Sequence, residues 1–282
     1  GKKKMMQKRL NAIQERLLDL NQPFDLKIFD GDIGLFDGDI RRISNNEFNR
    51  CNYSDGHTAE ELNDFTQRIH EDGVHTLAYY VSPHISKKDF GIYFLESGIS
   101  LLASYFENKI NNNIIMNDMN ELGQKTKYEI RKDLVKVAKK VLLRHELGHY
   151  AIDYSLTQCN TDNMINSNDY YKFKIESHEK HIALDESICN ANVARQSLKI
   201  LNKITDRNSV EFSLNLHDFC NEFMDNQPFE YRGYGQFLPN YAKTSVNALI
   251  RSTGMDFSIT DFREAIKDKS VMNIPLYMVS KQ

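Results

Sequence analysis

The chain lacks a long apolar run, an excess of charge of one sign and a closely spaced pair of cysteines. No stretch of its 282 residues approaches the ~18 consecutive apolar residues of a membrane-spanning helix. Its 36 Lys and Arg residues nearly balance its 39 Asp and Glu residues, which argues against a strongly basic protein that binds nucleic acid. We therefore expect a globular chain with no nucleic-acid partner and no membrane partner.

Cysteine is scarce, and the four cysteines lie far apart in the sequence, at Cys51, Cys159, Cys189 and Cys220. This spacing excludes a zinc ribbon and a disulfide-dense secreted module, and it favours a reducing compartment. Residues 1–6 begin with lysines but no apolar segment follows them, so no signal peptide is visible. These features predict a cytoplasmic protein, and an effector that is secreted or translocated into another cell is the alternative.

The pattern of apolar residues separates a mixed first part of the chain from a helical second part. Residues 75–82 and 90–95 are rich in aromatic and aliphatic side chains and are typical of strands, and 114–116 is a third candidate. Two copies of Phe-Asp-Gly-Asp-Ile, at 29–33 and 36–40, predict tight turns. Apolar spacing and composition predict helices over 5–20, 58–71, 98–107, 127–154, 180–202, 210–224, 242–251 and 257–268.

We therefore expect an α+β fold in which a small mixed or antiparallel sheet packs on the helix at 127–154. A mainly helical C-terminal lobe should follow this sheet and helix. The predicted boundary lies after the long helix, so residues 1–154 form the first lobe and residues 155–282 the second. Because no low-complexity linker separates them, we expect two lobes of a single unit.

The long predicted helix contains the sequence His-Glu-Leu-Gly-His at residues 145–149. Residues four apart on a helix lie one above the other, about 6 Å apart, so the imidazoles of His145 and His149 can share one metal ion. Glu146 points ~100° around the helix, where it can reach a metal-bound water without binding the metal. Both histidines fall on the apolar stripe, and Gly148 beside them allows another segment to approach closely. The alternative is a pair of core histidines with ordinary hydrogen-bond partners.

A catalytic zinc ion normally takes a third ligand from the protein and keeps one position open. The predicted helix at 180–202 offers Glu186 at the centre of a mostly apolar face. A buried carboxylate costs several kcal/mol unless it is paired, and a cation held by the two histidines is the simplest partner. A buried ion pair between Glu186 and an arginine is the alternative. Other candidate ligands are His178, His181, Asp185 and Asp162.

The two helices together resemble a known class of metallopeptidases. The sequence HELGHY at 145–150, followed by ESICNANVA at 186–194, is similar to the gluzincins, especially to their ImmA/IrrE-type group. The resemblance covers residues 127–202, and it departs from that group at Cys189, where the pattern has Ala, and at Asp153, where the group often has His. It implies a zincin-like fold, hydrolysis of peptide bonds, and a Zn²⁺ cofactor bound by His145, His149 and Glu186.

Further site residues follow from the resemblance and from the chemistry of peptide hydrolysis. Asn190 lies one turn after Glu186, where the corresponding gluzincin side chain accepts a hydrogen bond from a ligand imidazole. An ordinary buried asparagine is the alternative. Hydrolysis also requires a donor to the developing oxyanion, and a Tyr or His can supply it. The candidates for this catalytic role are Tyr234 and His217, followed by Tyr231 and Arg232.

The sequence therefore predicts a zinc-dependent metallopeptidase that uses a Glu-activated, zinc-bound water. An endopeptidase is favoured because no motif for gripping a substrate terminus is present. The expected partner is a protein or peptide substrate, which in zincins adds as a strand to the edge of the sheet, and the oligomeric state stays open. One alternative is a secreted bacterial effector or toxin protease with the same chemistry. Another is a metal-binding pseudo-enzyme or sensor without turnover.

Overall fold

The computed structural model describes residues 38–51, 56–74, 77–82, 89–113, 127–158, 178–195, 218, 220–267 and 273–281. The predicted helix at 5–20, the first Asp-Gly copy at 29–33 and the possible strand at 114–116 lie outside these residues. His217 and Asp162 also lie outside them. The described part is a mixed α+β structure with a small sheet and mostly helical content, in agreement with the α+β class that the sequence predicts.

A four-stranded sheet combines segments that are far apart in the sequence. Its strands are β1 (Gly38–Ile43), β2 (Ala78–Val81), β3 (Gly91–Leu95) and β4 (Leu276–Lys281), in the order β1-β4-β3-β2. β3 and β4 run parallel, whereas the other two pairs are antiparallel, so the sheet is mixed and β2 is an edge strand. β2 and β3 confirm the two strands that the sequence predicts.

The outer strand β1 and the central strand β4 are not among the strands that the sequence predicts. β1 begins at Gly38, inside the second Asp-Gly copy, so the last three residues of that copy are extended. β4 follows the helical second half of the chain, yet it lies between β1 and β3 and pairs with both. The predicted second lobe therefore supplies a central strand to the sheet of the first, and a boundary after residue 154 does not separate the sheet from the C-terminal half.

Helices make up most of the described structure. The helices predicted at 58–71, 127–154 and 242–251 are confirmed, and the helix predicted at 180–202 is present through Ala194, with residues 196–202 outside the described part of the chain. A 3-10 helix covers Phe229–Phe237, and residues 220–225 are also helical. The α-helices are α1 (Asn45–Arg50), α2 (Ala59–Asp72), α3 (Glu96–Asn113), α4 (Lys127–Gln158), α5 (His178–Ala194), α6 (Tyr241–Thr253) and α7 (Ile259–Ala265).

Helix α4 runs between the two apolar clusters of the structure. One cluster joins its first part, through Leu147, with the sheet and α3. The other joins Ala151 and Ile152 with α5, α6 and α7. Every residue from 141 to 148 is consequently buried, and the His-Glu-Leu-Gly-His sequence lies where the clusters meet. None of the described helices combines the length and the apolar character needed to cross a membrane.

Helix α5 lies unusually close to α4 at Gly148. A Cβ atom added to Gly148 would lie 2.7 Å from Sγ and 2.8 Å from Cα of Cys189, so only glycine fits at this crossing. Four residues earlier on α4, the backbone oxygen of Arg144 accepts a hydrogen bond of 2.7 Å from Nδ2 of the buried Asn192. These two contacts fix the position of α5 along α4 and confirm that Gly148 allows a close approach.

Gly148→Ala should destabilise the protein by about 1–2 kcal/mol. Overpacking costs ~1–3 kcal/mol, which outweighs the gain of up to ~1 kcal/mol that Ala brings to a helix. The loss would be measured as a lower midpoint of urea unfolding. Gly235→Ala is the matched control, because no atom lies within 4 Å of a Cβ added there. Equal midpoints for the two variants would contradict the close crossing.

Candidate metal centre

Helices α4 and α5 bring the three predicted ligands together. The imidazole centroids of His145 and His149 lie 5.2 Å apart, one turn from each other on α4. On α5, Oε2 of Glu186 lies 3.0 Å from Nε2 of His145 and 3.6 Å from Nε2 of His149. One carboxylate oxygen therefore faces both imidazoles, as the sequence-based ligand set requires.

The orientation of the His145 ring is set from behind by Asn190. Nδ1 of His145 lies 2.9 Å from Oδ1 of Asn190, and Nδ2 of Asn190 donates to the backbone oxygen of Tyr231 at 3.1 Å. Because the amide group donates through its nitrogen, its oxygen must accept, so Nδ1 of His145 carries the proton. The ring of Tyr231 also stacks on that of His145, with centroids 6.0 Å apart. The structure thus brings Asn190 to the position that the resemblance implies.

This tautomer leaves two hydrogen-bond acceptors facing each other. With Nδ1 protonated, Nε2 of neutral His145 presents a lone pair to Oε2 of Glu186 at 3.0 Å. Two acceptors this close repel unless a proton or a metal cation lies between them. Zn²⁺ binds imidazole nitrogen and carboxylate oxygen readily, so the residues present fit the ion that the sequence predicts.

The pKa values of Glu186 and His149 shift in opposite directions, as expected for a carboxylate beside an imidazole. Burial opposes ionisation of Glu186, but His149 and His145 outweigh it and hold the pKa of Glu186 below its ordinary value. Burial also works to lower the pKa of His149, but Cys189 and Glu186 overcome it and raise this pKa well above its ordinary value. The cluster therefore favours a positive charge on the imidazole side and a negative charge on the carboxylate.

Glu146 is buried beside the two histidines, and among the described residues its carboxylate has no side-chain hydrogen-bond partner. Its exposed fraction is 1%, and neither carboxylate oxygen has a hydrogen-bond partner of normal geometry within the described residues. Burial raises the pKa of Glu146, although His145, His149 and the backbone of Tyr80 on β2 work in the other direction. A buried carboxyl without partners is costly, and such groups mark functional sites more often than they stabilise a fold.

Cys189 is a donor that the sequence analysis did not assign to the site. Its Sγ and the nitrogens of His145 and His149 lie within 4.8 Å of one another, and it is fully buried. Burial raises the pKa of the Cys189 thiol to about 12, although His149 beside it lowers this value. The available signal was its spacing, because a residue three positions after Glu186 lies on the same face of a helix.

Among the predicted oxyanion donors, Tyr234 and Arg232 make their hydrogen bonds outside the donor cluster, whereas Tyr231 packs on it. The hydroxyl of Tyr234 donates to Oδ1 of Asp225 at 2.9 Å, and burial together with this carboxylate raises the pKa of Tyr234. Nε of Arg232 donates to the backbone oxygen of Gln227. Tyr231 contacts His145 through its ring and, through its backbone oxygen, Asn190. Asp185 is buried on α5 but does not belong to the donor cluster found among the described side chains.

Asn190→Ala should lower the affinity for zinc by about 10–100-fold, because the ring of His145 loses the acceptor that orients it. A competition titration with a chelating dye would measure this affinity. Asn190→Asp keeps an acceptor at the same place and should retain most of the affinity. Asn49→Ala, an exposed change on α1, serves as the surface control. An unchanged affinity in Asn190→Ala would contradict the orienting role.

The comparisons with known proteins do not add to this picture. No family model, no curated protein and no solved structure matches the chain. The functional argument therefore depends on the geometry of the donor cluster and on the residues around it.

Proposed function

We propose that this protein is a zinc-dependent metallopeptidase of the gluzincin type that cleaves internal peptide bonds. The observation that carries the proposal is the convergence of His145, His149 and Glu186 on one point, with the unsatisfied carboxyl of Glu146 buried beside them. A purely structural pair of histidines does not explain that unsatisfied carboxyl. A general base whose partner is the metal-bound water does explain it.

The roles follow from these positions. His145, His149 and Glu186 would hold the zinc ion, which when bound acts as a Lewis acid toward a peptide carbonyl and makes water more acidic. Glu146 takes a proton from the attacking water at its carboxylate and returns that proton to the leaving amine. Burial raises the pKa of Glu146, which makes its carboxylate a stronger base than an exposed one.

The sheet supports a peptide as the substrate. β2 is an edge strand that packs beside α4, and the backbone of its Tyr80 is close enough to Glu146 to affect the pKa of that residue. An extended peptide can add as a further strand beside an outer strand of a sheet, and β2 is an outer strand among the described residues. A peptide bound along β2 would pass beside Glu146, which is the arrangement that a zincin-like fold uses.

A metal-binding protein without turnover is the second candidate, and Cys189 is the observation that favours it. The close donor group of His145, His149 and Cys189, together with Glu186 beside the imidazoles, would offer zinc up to four protein ligands, and sites closed by four protein ligands are usually structural. The intact Glu146 favours the peptidase, because a sensor or scaffold has no need for a buried, unsatisfied carboxyl next to its metal.

Glu146→Gln separates the two candidates. We expect purified protein to contain about one zinc ion per chain by elemental analysis, and His145→Ala or His149→Ala to lose it. Glu146→Gln should retain the metal but lower kcat/KM on a proteome-derived peptide library by about 10²–10⁴, because the general base is lost. Glu60→Gln, the same change at an exposed position on α2, is the matched control.

Each failure has a distinct meaning. A wild-type protein that holds no metal after preparation without chelators would overturn the metal centre. A protein that holds zinc but cleaves nothing in the library would favour the sensor or scaffold. Equal cleavage by wild type and Glu146→Gln would show that Glu146 is not the base.

A further inference from the structure

The face that α5 turns toward α4 carries two possible metal ligands. Glu186 and Cys189 are three residues apart on the helix, so both side chains lie on this face. Glu186 contacts both imidazoles, whereas the close group of donor atoms joins the sulfur of Cys189 to His145 and His149 without Glu186. This group therefore has Cys189 in the place that the ligand set inferred from the sequence gives to Glu186.

The sulfur of Cys189 is fully buried, whereas the side chain of Glu186 is partly exposed to solvent. Cys189 and His145 are 0% and 1% exposed, whereas the side chains of His149 and Glu186 are 20% and 14% exposed. The close crossing at Gly148 holds the sulfur of Cys189 in this place. The sulfur lies so near the backbone of Gly148 that it has no room to shift toward α4. Of the two donors on α5, Glu186 is therefore better placed than Cys189 to leave the metal.

We propose that Cys189 binds the metal together with His145 and His149, and that Glu186 fills the fourth position in the resting protein. The inference rests on the proposed metal centre and adds a means of regulating it. The sulfur binds as a thiolate, and its proton leaves to the solvent when the metal enters. With His145, His149 and Cys189 as the permanent ligands, Glu186 is the group that would have to move for water to reach the metal, so in this case Cys189 replaces Glu186 as the third ligand of the active form.

A thiolate in this position also changes which metals the centre prefers. Imidazole and carboxylate groups alone accept several divalent metals, whereas thiolate sulfur selects the softer ones. We therefore expect the wild-type protein to discriminate more strongly in favour of zinc and cadmium over manganese than Cys189→Ser does. Cys220→Ser, a change at another buried cysteine, should leave this preference among metals unchanged.

Cobalt(II) loading of the full-length chain tests the proposal directly. Sulfur bound to cobalt gives a charge-transfer band in the near ultraviolet, which imidazole and carboxylate ligands do not give. We expect one cobalt per chain and this band in the wild type, its loss in Cys189→Ser, and its retention in Glu186→Gln. A variant with Cys51, Cys159 and Cys220 all changed to Ala should keep the band, because Cys189 is then the only cysteine.

The outcomes separate this proposal from the proposed function. One bound cobalt without the band, or a band that survives Cys189→Ser, overturns the role of Cys189 and leaves the centre of two histidines and Glu186 standing. A wild type that binds no cobalt and no zinc overturns the metal centre itself. If Cys189→Ser does not fold, the variant with Cys189 as its only cysteine decides, since loss of the band there excludes Cys189.

Discussion

The candidate metal centre depends on how closely α5 lies against α4 at Gly148. Because this residue has no side chain, the backbone of Cys189 reaches van der Waals contact with α4. The same approach brings Glu186, one turn earlier on α5, to both imidazoles, and Asn190 to the back of His145. A larger residue at the crossing would move all three side chains at once, since they belong to one rigid helix.

The 3-10 helix at Phe229–Phe237 holds α5 from its other side. Its backbone oxygens accept hydrogen bonds from the side chains of Ser187 and Asn190, so it contacts α5 through groups that flank the donors. From α6, the hydroxyl of Tyr241 donates to the backbone oxygen of Ile188. Helix α5 is thereby fixed between α4 and the C-terminal elements. This fixed position holds the carboxylate of Glu186 against the imidazoles of α4 and keeps these buried groups from turning to other partners.

Sequence reasoning recovers the parts of the site that local spacing determines. His145, Glu146 and His149 follow from one helical turn, and Glu186 follows from a carboxylate in the middle of an apolar face. Strand β4 was not predicted, because its central place depends on pairing with β1 and β3, which are distant in sequence. The helical pattern places Cys189 on the same face as Glu186, but a neutral thiol in an apolar face needs no partner as a carboxylate does, so nothing in the pattern marks it as a ligand.

The contacts that set the donor geometry are made by the protein itself. Asn192 to Arg144, Asn190 to Tyr231 and the Gly148 crossing involve no metal. The core around α4 is also large enough to fold a chain of this length, unlike that of a small zinc domain, whose fold depends on its ion. In such a framework the positive charge between His145 and Glu186 can be a proton or a metal ion. A metal ion bound there would compete with protons for the imidazoles, so acid would release the ion, whereas these contacts between the helices do not depend on it.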